Sequence, residues 1–97
     1  MGLAYTIQYA GEAVTDIRAL RAFDQRRILD GVEGHLTFQP WFVSKSRIKA
    51  MVQPFWSQFR LRIDEYRIYY DVDDKEHVVS KLRVLMKTTE PTPKDSP

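Results

Sequence analysis

The sequence predicts an α+β domain in which an N-terminal strand and a helical hairpin pack on a mainly antiparallel sheet of four or five strands. Three observations predict it. Apolar residues recur at helical spacing between residues 12 and 36, and at period two from about residue 46 onward. The stretch Phe59 to Val72, FRLRIDEYRIYYDV, reads as two strands joined by a tight turn at Asp64-Glu65. Ninety-seven residues with 43% hydrophobic and 12% aromatic content suit one small domain with one core. That domain is assigned to residues 1–87.

Taken in order, Ala4 to Tyr9 alternates as a strand with Tyr5, Ile7 and Tyr9 on one side, and Gly11 ends it. Residues 12–21 place Ala13, Ile17 and Leu20 on one helical face, with Glu12 favourable in the first turn. A second helix is expected from Asp24, read as its N-cap, with Ile28, Leu29, Val32 and Leu36 as its apolar stripe. Gly31 and Gly34 weaken that helix and admit a close neighbour. The helix ends before Pro40. Phe38 to Ser46 reads as a crossing loop anchored in the core by Trp41 and Phe42. Lys45 to Val52 leads into a second strand, with Arg47 and Lys49 on one side, and Pro54 breaks it.

In the central hairpin, a two-residue turn sets Ile63 opposite Tyr66, Arg62 opposite Arg67 and Arg60 opposite Tyr69. Opposed residues share a face. One face is therefore apolar and the other carries three arginines and a tyrosine. Asp73 to Glu76 forms a polar turn, and the last strand runs from His77 to about Met86. With Val72 opposite Val78, Arg83 would lie across from Arg67 and Lys81 across from Tyr69. The open face then gathers Arg60, Arg62, Arg67, Lys81, Arg83 and Lys87. Residues 88–97, TTEPTPKDSP, are polar with three prolines and are expected to form a disordered tail.

The charge is placed unevenly. Residues 1–43 hold four basic and five acidic side chains, whereas residues 44–87 hold ten basic and six acidic ones. A basic sheet face on a small domain points to a polyanionic partner, and guanidinium forks match phosphate. With no cysteine, disulfides and thiolate chemistry are excluded. No apolar run approaches the roughly 20 residues of a membrane span, and the N-terminus lacks the layout of a signal peptide. The expectation is a cytoplasmic protein with no membrane contact. His35 and His77 share no local motif, and the acidic turn at Asp73, Asp74 and Glu76 is read as a turn. Neither a metal site nor a cofactor is expected.

The text FRLRIDEYRIYYDV, with its basic alternation, its Tyr66-Arg67 pair and the following Tyr70-x-Val72, resembles the RelE/ParE superfamily of toxins from type II toxin–antitoxin systems. The opening Tyr9 to Leu20 resembles the family's first helix, and Val78 to Leu85 its last strand; the likeness covers roughly residues 4–87. The resemblance implies a small toxin neutralised by a cognate antitoxin. RelE-like members cleave messenger RNA on the ribosome; ParE-like members poison DNA gyrase; a third possibility is a binding module that has kept the fold without toxicity. For the nuclease, the resemblance assigns catalytic roles to Arg60, Arg62, Arg67 and Lys87. Arg47, Lys49, Tyr69, Lys81 and Arg83 are the expected nucleic-acid contacts, Tyr69 by stacking on a base or by donating a hydrogen bond to phosphate. RelE toxins carry a tyrosine beyond the last strand, and TTEPTPKDSP holds none.

Overall fold

A computed structural model describes residues 3–87. The expected tail, residues 88–97, lies outside the described residues. In chain order the elements are β1 (Thr6–Ile7), α1 (Gly11–Arg18), α2 (Ala22–Leu36), β2 (Ile48–Ala50), β3 (Phe59–Ile63), β4 (Tyr66–Asp73) and β5 (Val78–Met86). The strands form one sheet in the order β1-β5-β4-β3-β2. β1 runs parallel to β5, and the other neighbours are antiparallel.

Both helices cover one face. Ala13 and Ile17 of α1 and Ile28, Val32 and Leu36 of α2 pack on Leu61, Ile63, Ile68, Tyr70, Leu82 and Val84 of the sheet. Burying each large aliphatic side chain contributes about 1.5–3 kcal/mol, so this layer supplies most of the stability. A Cβ on Gly31 would collide with the side chain of Ile63. The glycine is what lets α2 sit this close to β3.

The β3–β4 register is the predicted one: Ile63 pairs with Tyr66, Arg62 with Arg67 and Arg60 with Tyr69. Asp64 turns the chain with φ of 52°, a left-handed conformation that aspartate tolerates better than most residues. Its carboxylate accepts both Nε (2.9 Å) and Nη2 (2.8 Å) of Arg27, tying the hairpin tip to α2. Those hydrogen bonds hold the Asp64 carboxyl below its ordinary value. The clamp is thus complete above about pH 4 and is lost as pH falls through the lowered value.

The β4–β5 register differs from expectation. Val72 pairs with Val79, and after an irregularity between Tyr69 and Asp71 the pairs are Tyr69–Arg83 and Arg67–Leu85. The cause is an extra residue on β5: Lys81 adopts φ of 57°, and Lys81 and Leu82 together stand against Tyr70 in a β-bulge. Arg83 keeps the predicted face but stands two residues further along, opposite Tyr69.

Two local expectations are also corrected. The N-cap of α2 is Arg21, and Asp24 lies inside the first turn, accepting Arg21 Nε at 3.1 Å and Tyr66 Oη at 2.9 Å. The crossing loop is not anchored by Trp41 and Phe42, which are exposed; Pro40 is buried instead, and its carbonyl accepts the Tyr70 hydroxyl at 2.6 Å. The bulky side chains read as anchors face outward, and the hydrogen bond from the Tyr70 side chain to the Pro40 carbonyl fixes the loop instead.

Asp16 docks α1 on the outer edge of β5. Its Oδ2 accepts both Arg83 Nε (2.9 Å) and the Val84 N–H (2.9 Å). Replacing it strands a half-buried guanidinium and a strand-edge amide. Asp16→Ala is expected to lower stability by about 1–3 kcal/mol in urea titration, with Asp16→Asn recovering part of the loss. An unchanged midpoint for both would show that α1 docks through apolar contacts alone.

Candidate phosphate-binding site

The site is built where β2, β3 and β4 lie side by side. Lys49 pairs with Arg60, and Arg62 with Arg67, on the face away from the helices. The turn before β2 supplies two more cations. Ser44 shapes it: Ser44 Oγ accepts the N–H groups of Arg47 (3.1 Å) and Ile48 (3.2 Å), and the Ser44 N–H donates to the Ile48 carbonyl at 2.9 Å. Arg47 then donates from Nη1 to the Arg62 carbonyl at 3.2 Å, while its own carbonyl accepts the Arg62 N–H at 2.8 Å. The result is a cavity of about 150 Å³ lined by Lys45, Arg47, Lys49, Arg60, Arg62 and Arg67, with Val43, Ser44, Ser46 and Ile48.

No carboxylate lines this cavity. Among the described residues, Lys45, Arg47, Lys49, Arg62 and Arg67 make no ion pair. Arg67 is the unusual member, because it is only 6% exposed. Its Nη1 donates to the Tyr66 carbonyl at 3.3 Å, and its buried Nε has no hydrogen-bond partner among the described residues. Leaving a buried donor unmet costs about 1–3 kcal/mol, and clustered like charges add to that cost. An oxyanion in the cavity would offset the repulsion between the clustered cations.

The remaining predicted contacts lie elsewhere. Lys81 stands 3.8 Å from Asp71. Arg83 is held by Asp16 and Glu12, which raise its pKa further. Both are neutralised locally, and neither lines the cavity. Lys87 is exposed just beyond β5, its N–H bonded to the Glu65 carbonyl at 2.7 Å, and it is likewise absent from the cavity wall. Tyr69 is fully buried. The β2–β3 connection folds Phe55 and Trp56 over it, with ring centroids 5.7 and 4.8 Å away, so it offers no stacking surface to a base. Lys45 is the residue that sequence reasoning missed. The alternation Lys45-x-Arg47-x-Lys49 carried the signal, but it begins before the strand.

The cavity wall holds no histidine, aspartate or glutamate. His35 lies on the other side of Arg47. Burial, and then the Arg47 charge, push its pKa below the ordinary imidazole value, so it is neutral at pH 7. Among the described residues no group of three or more metal-ligating side chains converges, and no helix is long and apolar enough to cross a membrane.

Two helices on one face of a five-stranded, mainly antiparallel sheet define a RelE-like toxin fold. The chain superposes on a chain of the toxin–antitoxin complex RelBE2 from Mycobacterium tuberculosis with a TM-score of 0.72 and 22% identity, over 87% of this chain and 99% of that one. The model of the family described as "ParE toxin of type II toxin-antitoxin system, parDE" matches residues 7–90. The chain belongs to that family and is a toxin of the type II toxin–antitoxin class. No curated protein matches it at a significant level.

The division between neutralised and uncompensated cations is testable with a fluorescent single-stranded RNA titrated at several salt concentrations. Arg62→Glu is expected to weaken binding and to reduce the salt slope by about one phosphate contact or more. Lys81→Glu is expected to leave both nearly unchanged. Equal losses for the two variants would mean that the sheet binds RNA without using this cavity.

Proposed function

We propose that this toxin cleaves messenger RNA on the ribosome, holding the scissile phosphate in the cavity between β2, β3 and β4. The observation that carries this reading is the convergence of six cations, one of them nearly buried, with no carboxylate among them. In the reaction the RNA 2′-oxygen forms a bond to the adjacent phosphorus and the bond to the 5′-oxygen breaks. A proton leaves the 2′-hydroxyl, and one is gained by the departing 5′-oxygen. Negative charge grows on the non-bridging oxygens between these events. Arg60, Arg62 and Arg67 are suited to that charge, because guanidinium forks donate two aligned hydrogen bonds and stay protonated. For the same reason they are poor bases. Lys45 and Lys49 line the same wall and add point charges that attract the phosphate. A cognate antitoxin that covers the cavity would keep the toxin silent, and both partners would act in the cytoplasm.

A second reading is inhibition of DNA gyrase through protein contact. The family model favours it, as does the absence of a histidine or carboxyl group in the cavity wall. The two readings differ in what the arginines do. Induction of wild type, Arg62→Ala and Arg67→Gln, with thermal melts to verify folding, separates them when RNA ends and gyrase supercoiling are followed together. The nuclease reading expects new ends on ribosome-bound messages, reduced on the order of 100-fold in rate by either substitution. Toxic wild type with intact messages and impaired supercoiling would overturn it in favour of gyrase.

A further inference from the structure

The neutral half of the open sheet face carries a cavity of its own. β1 stops at Ile7, opposite Val79, and the Val84 N–H is taken by Asp16 of α1. Between these points, beside the bulge at Lys81, lies a cavity of about 460 Å³ whose wall includes Gln8, Glu12, Trp56, Ser80 and Arg83. That volume falls in the range of small-ligand sites. Lys49, Arg60, Tyr69 and Arg83 are successive partners across β2, β3, β4 and β5. One row of residues therefore runs from the wall of the cationic cavity to the wall of this one, about 14 Å in three interstrand steps. Trp56 covers Tyr69 within that row, with ring centroids 4.8 Å apart.

The two walls differ in chemistry. The cationic cavity offers donors and no carboxylate. The cavity at β5 offers a partly exposed indole, the Glu12 carboxylate, and the Gln8 and Ser80 side chains, which both donate and accept. Its arginine is already engaged, since Arg83 donates from Nε to Asp16 (2.9 Å) and from Nη1 to Glu12 (3.4 Å). Lys81, in the same wall, stands by Asp71. A carboxylate beside neutralised cations disfavours phosphate. A flat heteroaromatic ring suits the wall, because bases stack on aromatic and guanidinium planes and their edges need both donors and acceptors.

We propose that this cavity receives a nucleobase of single-stranded RNA, stacked on Trp56, while a phosphate of the same strand occupies the cationic cavity. The inference rests on the nuclease reading and adds to it a place for a base of the substrate. Trp56 then supplies the stacking surface that buried Tyr69 does not. The acids of α1 acquire a role as well: by neutralising Arg83 they keep phosphate on one half of the face and leave the other half to a base.

The test titrates the full chain with a single-stranded RNA of about eight nucleotides and with versions lacking one base at a time, sugar and phosphate kept. Trp41 and Trp56 are the two tryptophans, so Trp41→Phe leaves Trp56 as the sole indole reporter. Loss of one particular base is expected to weaken binding on the order of 10-fold and to abolish quenching of Trp56, with the salt slope unchanged. Trp56→Ala is expected to lose a similar factor and then to ignore removal of that base, and Trp56→Phe to recover part of the loss. Ala10→Leu narrows the cavity from the start of α1 and should weaken binding with Trp56 intact; thermal melts verify that each variant folds. A flat scan, in which no base matters while Arg62→Glu still weakens binding, would overturn the base site and leave the phosphate cavity standing. Wild type that binds no RNA would overturn both. Adenosine monophosphate that quenches Trp56 at the same concentration as the RNA would assign the cavity to a free nucleotide and overturn the proposal. Gyrase inhibition lost in Trp56→Ala with RNA binding unchanged would assign it to a protein partner and overturn it as well.

Discussion

The two-residue turn at Asp64-Glu65 is the constraint on which the rest of the molecule depends. It sets Arg62 against Arg67 and Arg60 against Tyr69, so that three guanidiniums share one face while Leu61, Ile63 and Ile68 share the other. A slip of one residue would exchange the faces, placing arginines beneath α2 and leucine in water. The bidentate Arg27–Asp64 pair opposes that slip by fixing the hairpin tip to a helix that is itself buried through Ile28 and Val32. An exposed ion pair contributes little free energy by itself. Here its effect is geometric.

The same hairpin shows what was legible in the sequence. Alternation of apolar and charged residues over 59–72 reports a strand pair with one buried face, and the turn length reports the register. Neither signal crosses the bulge at Lys81. The alternation of β5 reads as continuous, because the extra residue is accommodated by a backbone angle and not by a change in residue type. The loops were less legible for a related reason. Trp41 and Phe42 have the composition of core residues, but the Pro40 carbonyl and the Tyr70 hydroxyl fix that loop. Tyr69 was placed on the correct face. Its burial depends on Phe55 and Trp56 folding back from a connection that has no periodicity to read.

Charge was the least legible property, since net charge and strand face do not say where the counter-ions are. Arg83 and Arg67 project from the same face of one sheet, and their surroundings differ completely. Asp16 and Glu12 on α1 reach over the edge of β5 to Arg83, and Asp71 stands by Lys81. The opposite edge of the sheet is closed by the Ser44 turn, which brings Lys45 and Arg47 and no acid. The helices thus divide one basic face into a neutral half and a cationic half. Contacts between residues 12–16 and 83, and between Asp71 and Lys81, make that division, and no local pattern shows them.

The cationic half is costly to the fold. Arg67 is almost wholly buried with its Nε unmet among the described residues, beside other uncompensated guanidiniums. A methionine or leucine would fill the same volume without that penalty, as replacements of buried charges in other proteins indicate. Stability alone therefore gives no reason for an arginine at this position. The role proposed above does give one, because fixed guanidiniums lining a cavity are suited to negative charge that develops there. The exposed apolar patch next to it, Phe38, Trp41, Phe42 and Val43, obeys the same logic. Each is unfavourable in the isolated chain, clustered like charges in one case and exposed apolar surface in the other. Ser44, Arg47 and Ile48 line both the cationic cavity and the one beside Phe38 and Phe42, so the exposed apolar surface and the clustered charge are properties of one continuous piece of the α2–β2 connection.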